Sequence, residues 1–511
     1  MKKIACIVMS LCMALGVGCL TGCNNEGGGK GGRRGGRLTL EIYEAGFGTA
    51  WLDEIANNYK ASTGINVKVN KSYLETEINT KLINDQSDAD IVFMVGSAYE
   101  AQDRGMLTDL SDVMEMTPDG ESKTIKEKMN SNIYDYLSTD DGKIYQLPWA
   151  NTVSSLCYNE TTLNEILGAG KWEIPNTTEE FFDLADSIKA ASDGNYTFVD
   201  STQTGYGGYL LTTWWAQYDG VDRYYDYFSG YYYDGDERKF AEHGEIYDNI
   251  SRLRALEVCE KLFKKSNGYI HDKADRMDFN ESQIVFAGQG YGSDKAKAAF
   301  IVSGDWMENE LIGYLQAAEQ AGNPQSIRMM KIPVISSIVE TLENTSMSDE
   351  TLSAVIEAID NGETSYSGVS EKDFAKIAAA RKTIYSLTYN HPFCIPSNSS
   401  RKDEAKAFIK YLLSEYSQSI YARNLSGLSM PFGYTPEEAG ISDFVRSRLD
   451  AYDNTYLPIG NDYSSERFRR GRIGLFKLNS AFVDGDLFAG VTAKHIYEYS
   501  SETLKKDWKV D

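Results

Sequence analysis

The chain has 511 residues, of which 42 % are hydrophobic, 12 % aromatic and 25 % charged. That is enough apolar material for more than one buried core, and it excludes a disordered chain or a small disulfide-stapled scaffold. Against 75 acidic residues stand 51 basic ones, a formal charge of −24. This sign argues against nucleic acid and other partners held through phosphate, which need a basic face, and points to a neutral or cationic ligand.

In chain order, Lys2 and Lys3 precede an apolar or small run from Ile4 to Leu20. The run is too short to span a bilayer as a structural helix and has the pattern of a secretory signal peptide over residues 1–22. It ends in Leu20-Thr21-Gly22-Cys23, which resembles the lipobox of bacterial lipoproteins. That resemblance implies lipidation of Cys23 and a protein anchored by lipid to the extracellular face of the cell membrane. Residues 23–37 are Gly-rich with interspersed Lys and Arg and read as a tether. No later stretch reaches the ~18 apolar residues a membrane span needs.

Beyond the tether the pattern alternates strand and helix. Leu38–Tyr43 alternates like a half-buried strand, and Trp51, Ile55 and Tyr59 repeat at helical spacing before Gly64. Ile65, Val67 and Val69 alternate again, Leu74, Ile78, Leu82 and Ile83 give a second helical stripe, and Ala89–Val95 reads as a buried strand. The order predicts a doubly wound parallel sheet, with ligands outside the carboxyl ends of its strands. The loops Tyr43–Thr49 and Val95–Tyr99 are therefore expected to line a site. Further on, strands are expected over Lys143–Leu147, Ser154–Asn159 and Ala298–Val302, the last preceded by a helix-like stretch from Asp294. Helices are expected over Thr177–Ala191, Ser348–Ile359 and Lys402–Leu413. Residues 206–233 hold twelve aromatics in 28 positions, and the tyrosines at 224–233 read as structural.

Cys157, Cys259 and Cys394 lie downstream of the signal and show no CxxC spacing, so buried thiols with at most one bridge are expected. His243, His271, His391 and His495 are scattered, giving a metal site no local support, and no cofactor motif stands out. Asp234-Gly235-Asp236 and Asp484-Gly485-Asp486 lack a complete calcium-loop pattern and read as turns.

Several segments, taken together, resemble the extracellular solute-binding proteins of ABC importers, in the maltose-binding-protein-like family 1. They are Asp88-Ala89-Asp90-Ile91-Val92-Phe93 with Gly105-Met106-Leu107-Thr108-Asp109-Leu110, Leu147-Pro148-Trp149 with Leu156–Asn159, and Pro175–Phe181. Ala298–Trp306, ending in Ser303-Gly304-Asp305-Trp306, Ile395-Pro396-Ser397 and Glu404–Phe408 complete the set. The resemblance covers most of residues 38–432 and implies an α/β, two-lobed periplasmic-binding-protein-like fold of type II. Each lobe would be a mainly parallel sheet flanked by helices, with the ligand cleft at the hinge. Residues 38–150 plus 394–430 would form the first lobe, and 151–393 plus 431–511 the second. From about residue 434 the resemblance thins, and the basic run Arg467–Arg472 reads as a solvated loop or a docking surface.

Such a protein does no bond chemistry and would act as a monomer, handing a small-molecule carbohydrate to the transmembrane subunits of an ABC permease. A sugar offers apolar ring faces and hydroxyls, so its site wants aromatic rings beside amides and carboxylates. By resemblance, Trp306 is the first candidate, with Asp305 beside it, Trp149 and Asn151 at the first crossing, and one of Trp214 and Trp215 as a second ring. Glu44 and Phe47 on the first loop and Tyr99 on the next complete the set. Met94 and Ser97 depart from the maltose-binding pattern, so the resemblance does not specify maltose. A non-sugar solute such as a polyamine, or a non-transporting surface glycan binder, would use the same fold; many carboxylates near Trp306 would favour the cation.

Overall fold

Strand β1 (Arg37–Tyr43) buries Leu38, Leu40 and Ile42 and leaves the alternate side chains partly open. It pairs in parallel with β2 (Asn66–Ser72) from Arg37↔Asn66 to Tyr43↔Ser72. The connecting helix Ala50–Thr63 turns Trp51, Leu52, Ile55, Ala56 and Tyr59 inward and stops at Gly64, whose φ of 75° closes the last turn onto Lys60. Strand β3 (Ile91–Phe93) joins the other side of β1. This is the first sheet of a computed structural model that describes residues 37–507 apart from 45, 97, 140, 192–193, 453–455 and 461–481. The expected signal peptide, Cys23, residues 24–36 of the tether, Ser97 and the Arg467–Arg472 run lie outside the described residues.

Strand β4 (Leu147–Pro148) ends the first pass through this lobe, and the chain crosses into β5 (Val153–Asn159). The second sheet adds β6 (Tyr196–Val199), β9 (Ala298–Gly304), β10 (Ile327–Met330), β11 (Thr383–Ser386) and β13 (Leu457–Ile459) around β5. A separate hairpin, β7 (Tyr231–Asp234) and β8 (Glu237–Phe240), carries Gly235 in its turn. The return strand β12 (Pro392–Cys394) gives the first sheet the order β2-β1-β3-β12-β4, so the returning chain enters that sheet at Pro392. The second has the order β13-β11-β5-β9-β6, with β10 also on β5.

Both sheets are mixed where mainly parallel ones are expected. β12 runs antiparallel to β3 and β4, and β5 runs antiparallel to β9, β10 and β11. The departure follows from the crossings: a strand entering from the other lobe starts at the cleft edge, where the resident strands end. Two local expectations also differ. Lys143–Gln146 is irregular before the two-residue β4, and Asp294 closes a turn with Tyr291, after which residues 295–297 run irregularly into β9.

Backbone hydrogen bonds tie the crossings together: Trp149 N–H to His391 O at 2.9 Å, Leu387 N–H to Thr152 O at 2.9 Å, and Asn151 N–H to Ser429 O at 3.3 Å. The last belongs to a third passage, after which helix Asp443–Ala451 packs on β10. The C-terminal helices Phe482–Phe488 and Ala493–Thr503 lie against helix Ile250–Phe263. Asp484 is buried inside the first of these helices, not in the turn expected of Asp-Gly-Asp. Cys157, Cys259 and Cys394 are free and buried, with Cys157 and Cys394 in different sheets. No helix among the described residues is long and apolar enough to cross a membrane.

Candidate functional site

The carboxyl end of β1 in one lobe meets the carboxyl end of β9 in the other, and two glycines allow the approach. At Gly304 an added Cβ would lie 1.8 Å from the Trp306 indole, so only a bare backbone lets that ring fold back over its own strand end. At Gly46 an added Cβ would lie 2.6 Å from a Glu310 carboxylate oxygen and 2.8 Å from the Trp306 ring. Gly46 is thus the point of contact between lobes, and its carbonyl accepts a hydrogen bond from the Asn309 amide.

Around this contact the rings gather. Phe47 stands edge-on to Trp306 at 6.2 Å, to Trp149 at 5.7 Å and to His391 at 5.5 Å. Tyr206, just ahead of helix Gly207–Asp219, approaches Trp306 at 6.4 Å and Tyr209 at 5.4 Å. Trp306 is only 8 % exposed, covered by Gly46 and Phe47 of the other lobe and by Tyr206. Two acids adjoin the rings. Glu310 accepts from the Gln283 amide at 2.6 Å, and burial raises its carboxyl above the ordinary range. Asp200, at the end of β6, accepts from Gly207 N–H at 3.2 Å, and burial together with nearby Asp484 pushes it up as well. Burial likewise raises the phenol of Tyr209, to about 12, so both tyrosines keep their hydroxyl protons as donors. The chemistry on offer is apolar ring faces beside hydroxyl, amide and carboxyl groups.

Of the residues expected from sequence, Phe47, Trp149 and Trp306 come together here. Trp149 is floor rather than platform: it stacks on Trp51 at 5.8 Å, and its indole N–H donates to Met94 O at 3.0 Å. Glu44 borders the site, half-buried, on the same loop as Phe47.

Asp305 is a correction. It is buried and faces away from Trp306, pairing with Arg448 at 3.3 Å and accepting from the Thr152 hydroxyl. Both residues lie in the turn between β9 and helix Met307–Gln320, where Trp306 meets Phe47 and Tyr206 while Asp305 meets Thr152 and Arg448 at the crossing. Asn151 accepts from Tyr456 at 3.0 Å and lines a separate cavity of about 240 Å³ with Lys128, Ser429 and Tyr434. Tyr99 opens the short helix Tyr99–Asp103 and is itself buried.

Neither Trp214 nor Trp215 reaches the cleft, although one of them was expected there. Trp214 is fully buried and donates to Pro333 O at 3.1 Å, while Trp215 is enclosed by Tyr227 at 4.6 Å, Tyr224 at 5.4 Å and Phe228 at 5.8 Å. Their helix is buried on nearly every side, which places it inside the second-lobe core.

The residues that sequence reasoning missed are Tyr206, Tyr209, Asp200, Gln283 and Glu310. A usable signal existed for the first two, in the run Gly205-Tyr206-Gly207-Gly208-Tyr209 after a strand. Glu310 lies one turn into the helix that Trp306 begins, so its nearness is local, whereas Asp200 and Gln283 carry no such signal, since only tertiary packing brings Asp200 to Gly207 and Gln283 to Glu310. One metal-like grouping occurs among the described residues, His271 with Asp272 and Asp294. The Lys273 ammonium already sits 2.7 Å from Asp294 there, so the charge a cation would supply is in place.

Comparison with known proteins agrees with this architecture. The family described as bacterial extracellular solute-binding protein matches residues 54–434. No curated protein matches the chain. Among solved structures, one from work on xylan utilisation by the thermophilic bacterium Caldanaerobius polysaccharolyticus is 15 % identical with a TM-score of 0.61, covering 93 % of this chain and 100 % of the other. A chitin oligosaccharide binding protein is 16 % identical with a TM-score of 0.60, over 92 % of this chain and 100 % of its own. The binding protein RafE in complex with raffinose is 15 % identical with a TM-score of 0.57, again over 92 % and 100 %. At these identities the likeness concerns the fold, and the family match over three quarters of the chain carries the assignment. The chain belongs to the bacterial extracellular solute-binding proteins.

Proposed function

We propose that this protein binds a mono- or oligosaccharide between its two lobes and delivers it to an ABC permease, without bond chemistry and as a monomer. The observation that carries the reading is the set of rings around Trp306, drawn from both lobes, beside the Glu310–Gln283 pair. A ligand touching both lobes stabilises the closed form over the open one, and that difference is what closure needs. The carboxylates argue for a sugar over a polycation. Asp305 is spent on Arg448 and Glu310 accepts from the Gln283 amide, whereas a polyamine wants several carboxylates free to face it. Relatives of the same fold that bind raffinose or chitin oligosaccharides support the same choice.

The test is tryptophan fluorescence of the protein without its first 22 residues, titrated with mono- and oligosaccharides, polyamines and amino acids. A saturable change with one sugar series is expected. Silence toward every sugar with a response to a cation overturns the carbohydrate and leaves the fold.

The reading includes a lipid at Cys23 that holds the protein on the extracellular face of the membrane. Cys23→Ala is then expected to release the protein into the medium, and continued pelleting with membranes would contradict the anchor.

A further inference from the structure

The two most exposed large apolar side chains among the described residues are neighbours, Tyr73 at 71 % and Leu74 at 61 %. Single exposed apolar residues are ordinary, so position decides what such a pair means. These two follow β2 directly, and the register Tyr43↔Ser72 places them at the carboxyl end of the first sheet, one strand outward from Glu44. The Glu44 N–H is bonded to Ser72 O at 2.9 Å, and the Tyr73 hydroxyl lies against the Glu44 carboxylate. Two residues beyond Glu44, Gly46 touches Asn309, Glu310 and Trp306 of the other lobe. Tyr73 therefore stands on the edge that faces the cleft, yet the second lobe leaves it uncovered.

Polar groups flank the ring. Lys71, on the same side of β2, holds its ammonium 3.1 Å from Asp53. An open ring face beside an apolar neighbour, a carboxylate and an ammonium offers stacking together with hydrogen-bond partners, which is what a sugar unit needs. Trp306 itself is almost wholly covered while the Tyr73 ring is open, so a sugar unit stacked on Tyr73 would lie outside the cover over Trp306.

We propose that Tyr73, with Leu74, Glu44 and Lys71, forms an outer subsite at the mouth of the cleft that stacks a sugar unit lying beyond the closed site. The inference rests on the carbohydrate reading and deepens it: the ligand is an oligosaccharide long enough to reach this lip. Because the subsite belongs to one lobe, it binds its sugar equally well in the open and closed forms. It therefore adds affinity without driving closure, since a contact equal in two states shifts neither.

The experiment compares Tyr73→Ala and Tyr73→Phe with the unmodified protein across one oligosaccharide series of increasing length. Tyr73→Ala is expected to weaken binding of the longest members by about five- to tenfold, the usual size of one aromatic contact, and to leave the shortest member unchanged. The fluorescence change at saturation should stay the same, and Tyr73→Phe should keep most of the affinity. An unchanged Kd at every length overturns the subsite, and if uptake by cells falls at the same time the patch contacts the permease instead. An equal loss at every length also overturns it, because Tyr73 would then act on the enclosed site. If the unmodified protein binds no sugar, the carbohydrate reading fails and the subsite with it; sugar binding that ignores Tyr73 removes the subsite alone. The side chain is exposed, so an unchanged melting temperature verifies the fold of both variants.

Discussion

Trp306 and the Trp214–Trp215 pair show how little an indole reveals about its own job. All three are buried, and Trp306 and Trp215 each touch other rings while Trp214 donates to Pro333 O. Trp306 follows the carboxyl end of a strand, folds over a glycine, and meets a second glycine in the opposite lobe. Trp214 and Trp215 sit mid-helix in Gly207–Asp219, where Leu210, Leu211, Thr213, Ala216 and Tyr218 are buried with them. The first sits where the two lobes meet; the others lie inside the core of one lobe. Hinge opening would uncover Trp306 and leave the pair as it is.

The widest separation between the two regions should appear in stability. Trp214→Ala empties a fully buried site and is expected to lower stability by about 3–5 kcal/mol. Chemical unfolding measures this, and a loss no larger than that of Trp306→Ala would erase the distinction. Asp305→Ala comes next, at about 3 kcal/mol, because it strands the buried Arg448 guanidinium. The double variant Asp305→Ala with Arg448→Met should recover much of that loss. If Asp305→Ala instead spares stability and abolishes ligand binding, Asp305 belongs to the cleft after all. Smallest in free energy is Trp306→Ala, which is expected to weaken the best sugar by more than tenfold, or over ~1.4 kcal/mol. An unchanged Kd in isothermal titration would remove Trp306 from the site.

Much of the architecture was legible because short-range pattern and long-range packing agree. The alternation in Leu38–Tyr43, the stripe Trp51–Ile55–Tyr59 and the stop at Gly64 appear in the structure as β1 and its following helix. Ser348 caps the helix Asp349–Asp360 through its hydroxyl, close to where the pattern begins. The direction of β5 and β12 was not legible, because strand pairing depends on where the crossings deliver the chain. Phe47 could be placed on its loop, and Trp306 at the end of the family signature, from sequence, and their rings lie 6.2 Å apart. Asp305 could not, because its partner Arg448 lies 143 residues downstream on a helix that arrives by the third passage.

What the sequence determines by itself is therefore local and compositional: alternating elements, glycines where backbones must approach closely, an acidic surface unsuited to phosphate, and a family signature ending in Trp306. What only the tertiary structure decides is which side chains are spent and which are free. Trp149 is spent on Met94, Trp214 on Pro333 and Asp305 on Arg448, while Tyr206 meets Trp306 and Gln283 meets Glu310 from separate elements. The physical reason is that a side chain's availability is set by its non-local neighbours. Those neighbours are fixed only when both sheets and the passages between them are in place.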